Sequence, residues 1–450
     1  MTTLTMALAE LAVKKMTTLG ATEAEAYVKK TTATRVNFAE RIENFKSAQT
    51  TGITLRAAIG KRIAMYSTSI LDESEVGKVA ARVVKIAKAS PEDPNWKHMN
   101  VKFGTAKAEG YFDETVTNLE TQTIAERLTS AVQRMEDFDR RVKPALSSLS
   151  TLAAHVSIVN SHGEGSERDE TNILVSLRAK AEEGALISNA GESRGVKFWK
   201  QVDFERLAET VAEKAVKCLR AKPLPSRKTV VVIRNQTFAD MLGLMLGESV
   251  NAEAVQSGRS PLVGKLGTRV ASENITVVDD GLMQFGWNTR LFDDEGHAAE
   301  RTVVIEEGLL KSYLYDTYTA LKDGVESTGN CARRDYWIRP QPSPTNFVLQ
   351  PGDANREELI SDVQNGMFID ETIGAWLSDP VSGNLNATIS QGFLIENGAL
   401  TQPIKGMVLS ANFHELIKNQ IDLVGKDLGN EMQYYSPSVR IRELTVAGQS

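Results

Sequence analysis

Apolar positions repeat with two different periods along this chain. Leu4, Leu8, Leu11 and Met16 recur at helical spacing and Gly20 follows as a stop, so the chain is predicted to open with an amphipathic helix. From Ala26 the period shortens. Ala26-Tyr27-Val28 and the alternating Thr32, Thr34, Val36 and Phe38 read as strand, and residues 52–67 as two β runs about a Gly60-Lys61 hairpin turn. Helical periods return over 76–89, closed by Ser90-Pro-Glu-Asp-Pro94, and over 118–136. Strands are predicted for 153–159 and 170–186 around a turn at 161–165, followed by an amphipathic helix over 204–221.

Lys222-Pro-Leu-Pro-Ser226 is the best linker in the chain, and strand-like Thr229-Val-Val-Val-Ile233 opens the second half. Further strands are predicted at 275–278, 302–305, 309–314, 347–349 and 392–395, and helices at 238–254, 356–366 and 413–424. Glu306-Glu-Gly308 and Glu396-Asn-Gly398 read as tight turns whose positive φ glycine supplies most readily. The fold class is therefore α+β. A mixed helix/strand N-terminal domain is expected over 1–222, a linker over 223–228, and a mostly antiparallel, β-rich C-terminal domain with a few helices over 229–450.

Length and charge narrow the function. The chain has 450 residues, enough for more than one sizeable core. Its 52 Lys and Arg against 58 Asp and Glu give a net charge of −6, with the signs interleaved, which argues against direct nucleic-acid binding. Two cysteines, Cys218 and Cys331, exclude a disulfide framework and a Cys-rich zinc module. The N-terminal apolar residues precede the first lysines and are broken by Glu10, unlike a signal peptide, and no run approaches the roughly 18 apolar residues of a membrane span. The expectation is a cytoplasmic protein with no membrane contact.

Candidate chemistry is sparse. None of the five histidines pairs with another at zinc-binding spacing, and His414-Glu415 has Lys418 where a zincin helix needs its second imidazole. His414 reads as a solvated flank of a helix whose buried stripe is Phe413, Leu416, Ile417, Ile421 and Val424. Asp293-Asp-Glu-Gly-His297 is the densest acidic cluster, but it lacks a calcium-loop register and reads as a turn between strands. Cys331 lies beside Arg333 and Arg334, which can depress a thiol pKa, yet with no histidine near in sequence it reads as a loop cysteine. Gly243 and Gly247 interrupt the 238–254 helix at about 1 kcal/mol each, which calls for a close neighbour there.

Several short motifs then recur in a recognisable order. They are the stretch 253–267, Phe292-Asp-Asp-Glu-Gly296, Ser327-Thr-Gly-Asn330, Ser343-Pro-Thr-Asn346, Pro380-Val-Ser-Gly383, Ile395-Glu-Asn-Gly398 with Pro403, and Val424-Gly-Lys-Asp427 before Ser436-Pro-Ser438. Together they resemble the TldD/PmbA family across about residues 230–448, while the first half resembles it by pattern alone. The resemblance implies cytoplasmic zinc metalloproteases, also named modulators of DNA gyrase, in which two paralogues form a heterodimer. The TldD type carries a helical HExxxH motif and a further cysteine ligand near the C-terminus; the PmbA (TldE) type lacks them.

Laid on that motif, this chain places Gly247 and Ala252 where the histidines stand and keeps only Glu248; the segment 429–438 has no cysteine. Zinc catalysis needs about three protein ligands and an open position for water, so this remnant predicts neither a metal nor a catalytic residue here. The resemblance thus implies a non-catalytic PmbA/TldE-like subunit, with zinc expected in a TldD-type HExxxH partner, or a homodimer where no partner is present. Substrates would be unfolded or modified peptides held along a strand edge. Arg333, Arg334 and Asn346, in the polar 327–346 segment, are the candidates for lining the peptide path, against a plain loop-anchoring role. Two alternatives stand beside this reading. One is a self-sufficient peptidase using Glu248, Asp294, His297 or Cys331; the other is a non-enzymatic regulatory protein of the gyrase-modulator kind.

Overall fold

The computed structural model describes residues 3–39 and 41–449. Helices and sheets occur in both halves, and the second half is the richer in strands. In the first half a seven-stranded, wholly antiparallel sheet runs Arg62–Thr68, Ile42–Ile59, Glu23–Phe38, Ser147–Asn160, Gly165–Glu183; Val142–Pro144 and Leu186–Val196 both pair with the last of these. Helices Leu4–Thr18 and Glu73–Ala89 pack on one part of it and Thr121–Phe138 and Phe204–Lys217 on another, each contributing an apolar stripe. Side chains alternate across a strand. Ala24, Ala26 and Val28 therefore join the helices, while Glu25, Tyr27 and Lys29 point to the opposite face.

The second half has two main sheets. One runs Leu309–Leu310, Arg301–Glu306, Val277–Asp280, Phe347–Leu349, Tyr434–Ser436, Gly429–Glu431, with a single parallel pair between Phe347–Leu349 and Tyr434–Ser436. In the other, Asn365–Ile373, Arg227–Ile233, Val439–Ala447, Val408–Asn412 and Asn384–Glu396 close into a ring, because the first strand also pairs with the last. The large core of this half lies around that ring and the helix Asn235–Leu242. The residues between the halves are docked rather than free: Lys222 bridges to Ile404, and Ser226 exchanges hydrogen bonds with Gly448.

Four predicted elements differ. The helix expected over 238–254 ends at Leu242, widens into a π-type turn over Gly243–Gly247, and restarts as the short Ala252–Gln256. The helix expected over 356–366 is a run of turns, with Gly366 already inside strand Asn365–Ile373. Of the predicted 413–424 helix only about two turns form, and Ile421–Val424 is strand, although all five stripe residues are buried. Of 309–314, only Leu309–Leu310 is strand.

Candidate functional site

The far face of the first sheet is charged, and the second half covers it. In register across the strands, Arg56 lies opposite Glu25, and Arg168 opposite Val156, which itself opposes Lys29. The turn 293–297 plugs into this face. Asp293 holds the turn itself, accepting from the backbone N–H of Glu295 (2.8 Å), His297 (2.9 Å) and Cys331 (3.0 Å). Asp294 reaches back to the sheet, accepting from Arg168 at 2.6 Å and the Tyr27 hydroxyl at 3.1 Å. Glu295 accepts from Arg56 at 2.9 Å, and Arg56 also reaches Glu25 at 2.7 Å. All three acidic residues are at most 4% exposed. The acidic run is a turn, as expected, but a buried one in which arginines from the other half compensate the charges of Asp294 and Glu295.

Two of the expected peptide-lining residues are engaged in buried contacts at this junction. The Arg333 guanidinium is fully buried, pairs with Glu25, and stacks 4.4 Å from the Tyr27 ring centroid. Asn346 is likewise buried; its amide donates to Asp280 O (2.7 Å) and Thr289 Oγ1 (3.1 Å), and its Oδ1 accepts from the Asn288 N–H. It anchors a loop and lines no open path. Neighbouring polar residues of the same motifs also act as anchors, since Asn330 and Thr345 both donate to the buried Asp279 at 2.6 Å. Arg334 alone of the three is exposed. The 327–346 segment is not plain loop: Cys331–Ala332 pairs with Gln341–Pro342 as a small hairpin, and Tyr336 packs on Gly52, where a Cβ would lie 2.2 Å from the ring.

Cys331 and His414 also depart from expectation. Burial pushes the Cys331 thiol well up, and the nearby Glu295, Asp293 and Asp316 carboxylates add to it, so the adjacent arginines do not make a thiolate there. Its sulfur, Glu295 and Asp316 bring ligand-type atoms within 4.8 Å of one another. Those carboxylates are already engaged, Glu295 with Arg56 and the Thr317 N–H, Asp316 as the cap accepting from the Thr319 N–H at 2.8 Å. With the Arg56 cation in place, this donor set does not fit a metal ion. His414 is half-buried, its Nε2 2.9 Å from the Pro380 carbonyl, and burial lowers its pKa; Gly383 leaves room for the ring.

The remnant motif lies beside this network. A Cβ at Gly243 would sit 2.4 Å from the Tyr434 ring, and one at Gly247 2.7 Å from it. The close neighbour called for by the two glycines is that ring. Gly247 and Ala252 offer no donor atom, Ala252 is buried with its N–H bonded to Leu314 O, and the tyrosine occupies the space above the helix. These residues do not fit zinc. Glu248 is exposed and accepts from Asn251 at 3.0 Å. Burial, with the charge of Glu248, pushes the Tyr434 hydroxyl up to about 12, so it stays protonated and is no nucleophile.

Glu248, Arg334 and Gln341 separate two cavities. One, of about 320 Å³, lies between the halves and is walled by Lys29, Arg168, Glu170 and Lys197 from the first and by Arg290, Thr345, Gln433 and Tyr434 from the second. The other, of about 440 Å³, is bounded by Ser249, Asn251, Arg259, Arg339 and Pro380. Sequence reasoning missed Lys29, Arg168, Glu170, Lys197, Arg290 and Tyr434. The available signal was the alternation of Glu25, Tyr27 and Lys29 with the apolar Ala24, Ala26 and Val28.

Three consecutive stretches match the PmbA/TldA metallopeptidase family: residues 24–87 its domain 1, 114–219 its central domain, and 226–448 its C-terminal domain. The boundary between the first two stretches falls inside the segment read from sequence as one N-terminal domain. Among similar proteins, a metalloprotease of Methanothermobacter thermautotrophicus is 29% identical over 427 residues, 91% of each chain. A metalloprotease TldD homolog of Haemophilus influenzae is 29% identical over 334 residues, 69% of each chain. The crystal structure of TldE from Thermococcus kodakarensis superposes with a TM-score of 0.91 at 21% identity, covering 98% of this chain and 100% of that one, a likeness of fold. No helix among the described residues is long and apolar enough to cross a membrane. With its matched stretches running from residue 24 to residue 448, the chain belongs to the PmbA/TldA metallopeptidase family.

Proposed function

We propose that this chain is the TldE-type, non-catalytic subunit of a two-chain zinc metallopeptidase acting on unfolded or modified peptides in the cytoplasm. A TldD-type paralogue bearing HExxxH supplies the metal and the activated water. The observation that carries this reading is the pairing of Gly243 and Gly247 with Tyr434: an aromatic ring stands where a metal-binding imidazole would need to go. The raised Cys331 pKa supports it further, because a buried, protonated thiol is a poor nucleophile for a self-sufficient peptidase. The exposed Glu248 and Arg334, at the junction of the two cavities, are the groups this subunit would present to a peptide or to the partner's site.

The test is hydrolysis of an unstructured peptide by this chain alone, by an HExxxH-bearing paralogue from the same cell, and by the two mixed. Activity that needs the mixture and is abolished by a chelator is the expected result. Turnover by this chain alone overturns the reading.

A further inference from the structure

The cavity between the halves holds more positive charge than its own walls neutralise. Six cationic side chains and three carboxylates line it. Arg168 is committed to Glu170 and Asp294, and Arg333 to Glu25. Lys29, Lys197, Arg290 and Arg334 have no carboxylate within ion-pair distance among the described residues. Lys197 is the extreme case: it is 2% exposed, and its ammonium has neither a hydrogen bond nor an ion pair among those residues. Arg290 is 8% exposed, gives one hydrogen bond to Gly329 O, and leaves its Nε without an acceptor; Arg333 leaves Nε and Nη1 likewise. A buried cation is tolerated when something neutralises it. Here Lys29, Lys197, Arg290 and Arg334 line one cavity, and none of the four has a carboxylate partner among the described residues.

We propose that this cavity is an anion pocket that takes a carboxylate, the free C-terminal carboxylate of an extended peptide. The size fits one or two residues: about 320 Å³ is at the small end of ligand sites. Apart from Ala332 and Pro344, the remaining lining is amide and hydroxyl, from Asn288, Gln341, Ser343 and Gln433 among others, which suits the peptide group next to a terminal carboxylate. Phosphate sites are typically built from helix N-termini or glycine-rich backbone nests. No glycine and no first-turn helix residue lines this cavity. Burial also lowers the Lys197 pKa to about 8, as expected of an ammonium waiting for a counter-charge. That the carrier is a peptide rests on the function proposed above; the anion pocket itself does not.

Binding is measured by calorimetry on the full chain alone at pH 7, with no turnover involved, so failure of the two-chain peptidase reading does not decide this one. The probes are trialanine, trialanine amide, succinate and inorganic phosphate. Trialanine is expected to bind at least ten-fold more tightly than its amide, and Lys197→Met to weaken it at least ten-fold while the chain remains folded. If that variant does not fold, Arg334→Ala, at the exposed mouth, is expected to weaken trialanine as well. Equal binding of acid and amide, or variants that bind like the parent, overturn the pocket. Phosphate or succinate binding more tightly than trialanine overturns the peptide terminus as its occupant, and silence with every probe overturns the proposal as a whole.

Discussion

Tyr434 and the two glycines beneath it show how much one side chain decides. With Cβ positions at 243 and 247 only 2.4 and 2.7 Å from its ring, neither can carry a side chain unless the ring moves. Gly247→His is therefore expected to cost about 1–3 kcal/mol of stability through overpacking. Urea unfolding of G247H, of Tyr434→Ala and of the double variant checks this. The double variant is expected to lose at least about 0.5 kcal/mol less than the two single losses together; strict additivity means that some other group fills the space. The need for a neighbour at Gly243 and Gly247 was legible in the sequence, because interior helix glycines are costly. Which residue answers it was not, since Tyr434 arrives from a distant strand. Arg333 and Asn346 show the same limit. A polar residue in a polar segment reads alike whether it faces solvent or, as here, satisfies buried partners.

At the scale of elements, turns were read best and second-half helices worst. The Glu307-Gly308 and Asn397-Gly398 pairs all have positive φ, as their hairpins require. Gly60 and Gly308 separate two reasons for glycine. Gly60 has φ +57° and open space around it; Gly308 has φ +80° and would place a Cβ 2.2 Å from Ala271 O. Gly60→Ala is expected to lose only the left-handed strain of about 1–2 kcal/mol. Gly308→Ala adds a backbone clash and is expected to lose at least about 1 kcal/mol more. Denaturant midpoints compare them directly, and equal losses would mean the Gly308 loop yields freely. The 413–424 helix stops short because its C-terminal end pairs as strand with Val439–Ala447: Ile421 and Val424 fit a helical stripe and a short strand equally well. The 356–366 helix failed likewise, its C-terminal end already belonging to strand Asn365–Ile373.

Over the whole molecule, what the sequence hid is the meeting of the two halves. An antiparallel sheet with one apolar face ordinarily turns its polar face to water. Here that face, with Glu25, Arg56 and Arg168, receives the 293–297 turn. A second set of pairs lies farther along: Glu192 of the first half binds Arg234 at 2.7 and 2.9 Å, and Lys214 meets Asp370 at 2.6 Å. Burial raises the Glu192 pKa, but the Arg234 hydrogen bonds and the charges of Lys214, Arg234 and Arg194 outweigh it and bring the group down to about 2 from 4.5. A depressed folded-state pKa contributes stability that is full above 4.5 and lost as pH falls from there through 2. Glu192→Gln is expected to cost about 3–5 kcal/mol at pH 7 and to flatten that acid limb, as read from unfolding curves at a series of pH values. An unchanged limb would remove Glu192 from the acid response. The divided ownership of these pairs also governs how such chains can recombine. A crossover near residues 222–228 looks permissive, since it cuts between two sheets, yet it draws Arg56, Arg168 and Glu192 from one parent and Glu295, Asp294 and Arg234 from the other. Viable hybrids are then selected by matching charges far from the seam, and inheritance of the two halves becomes linked.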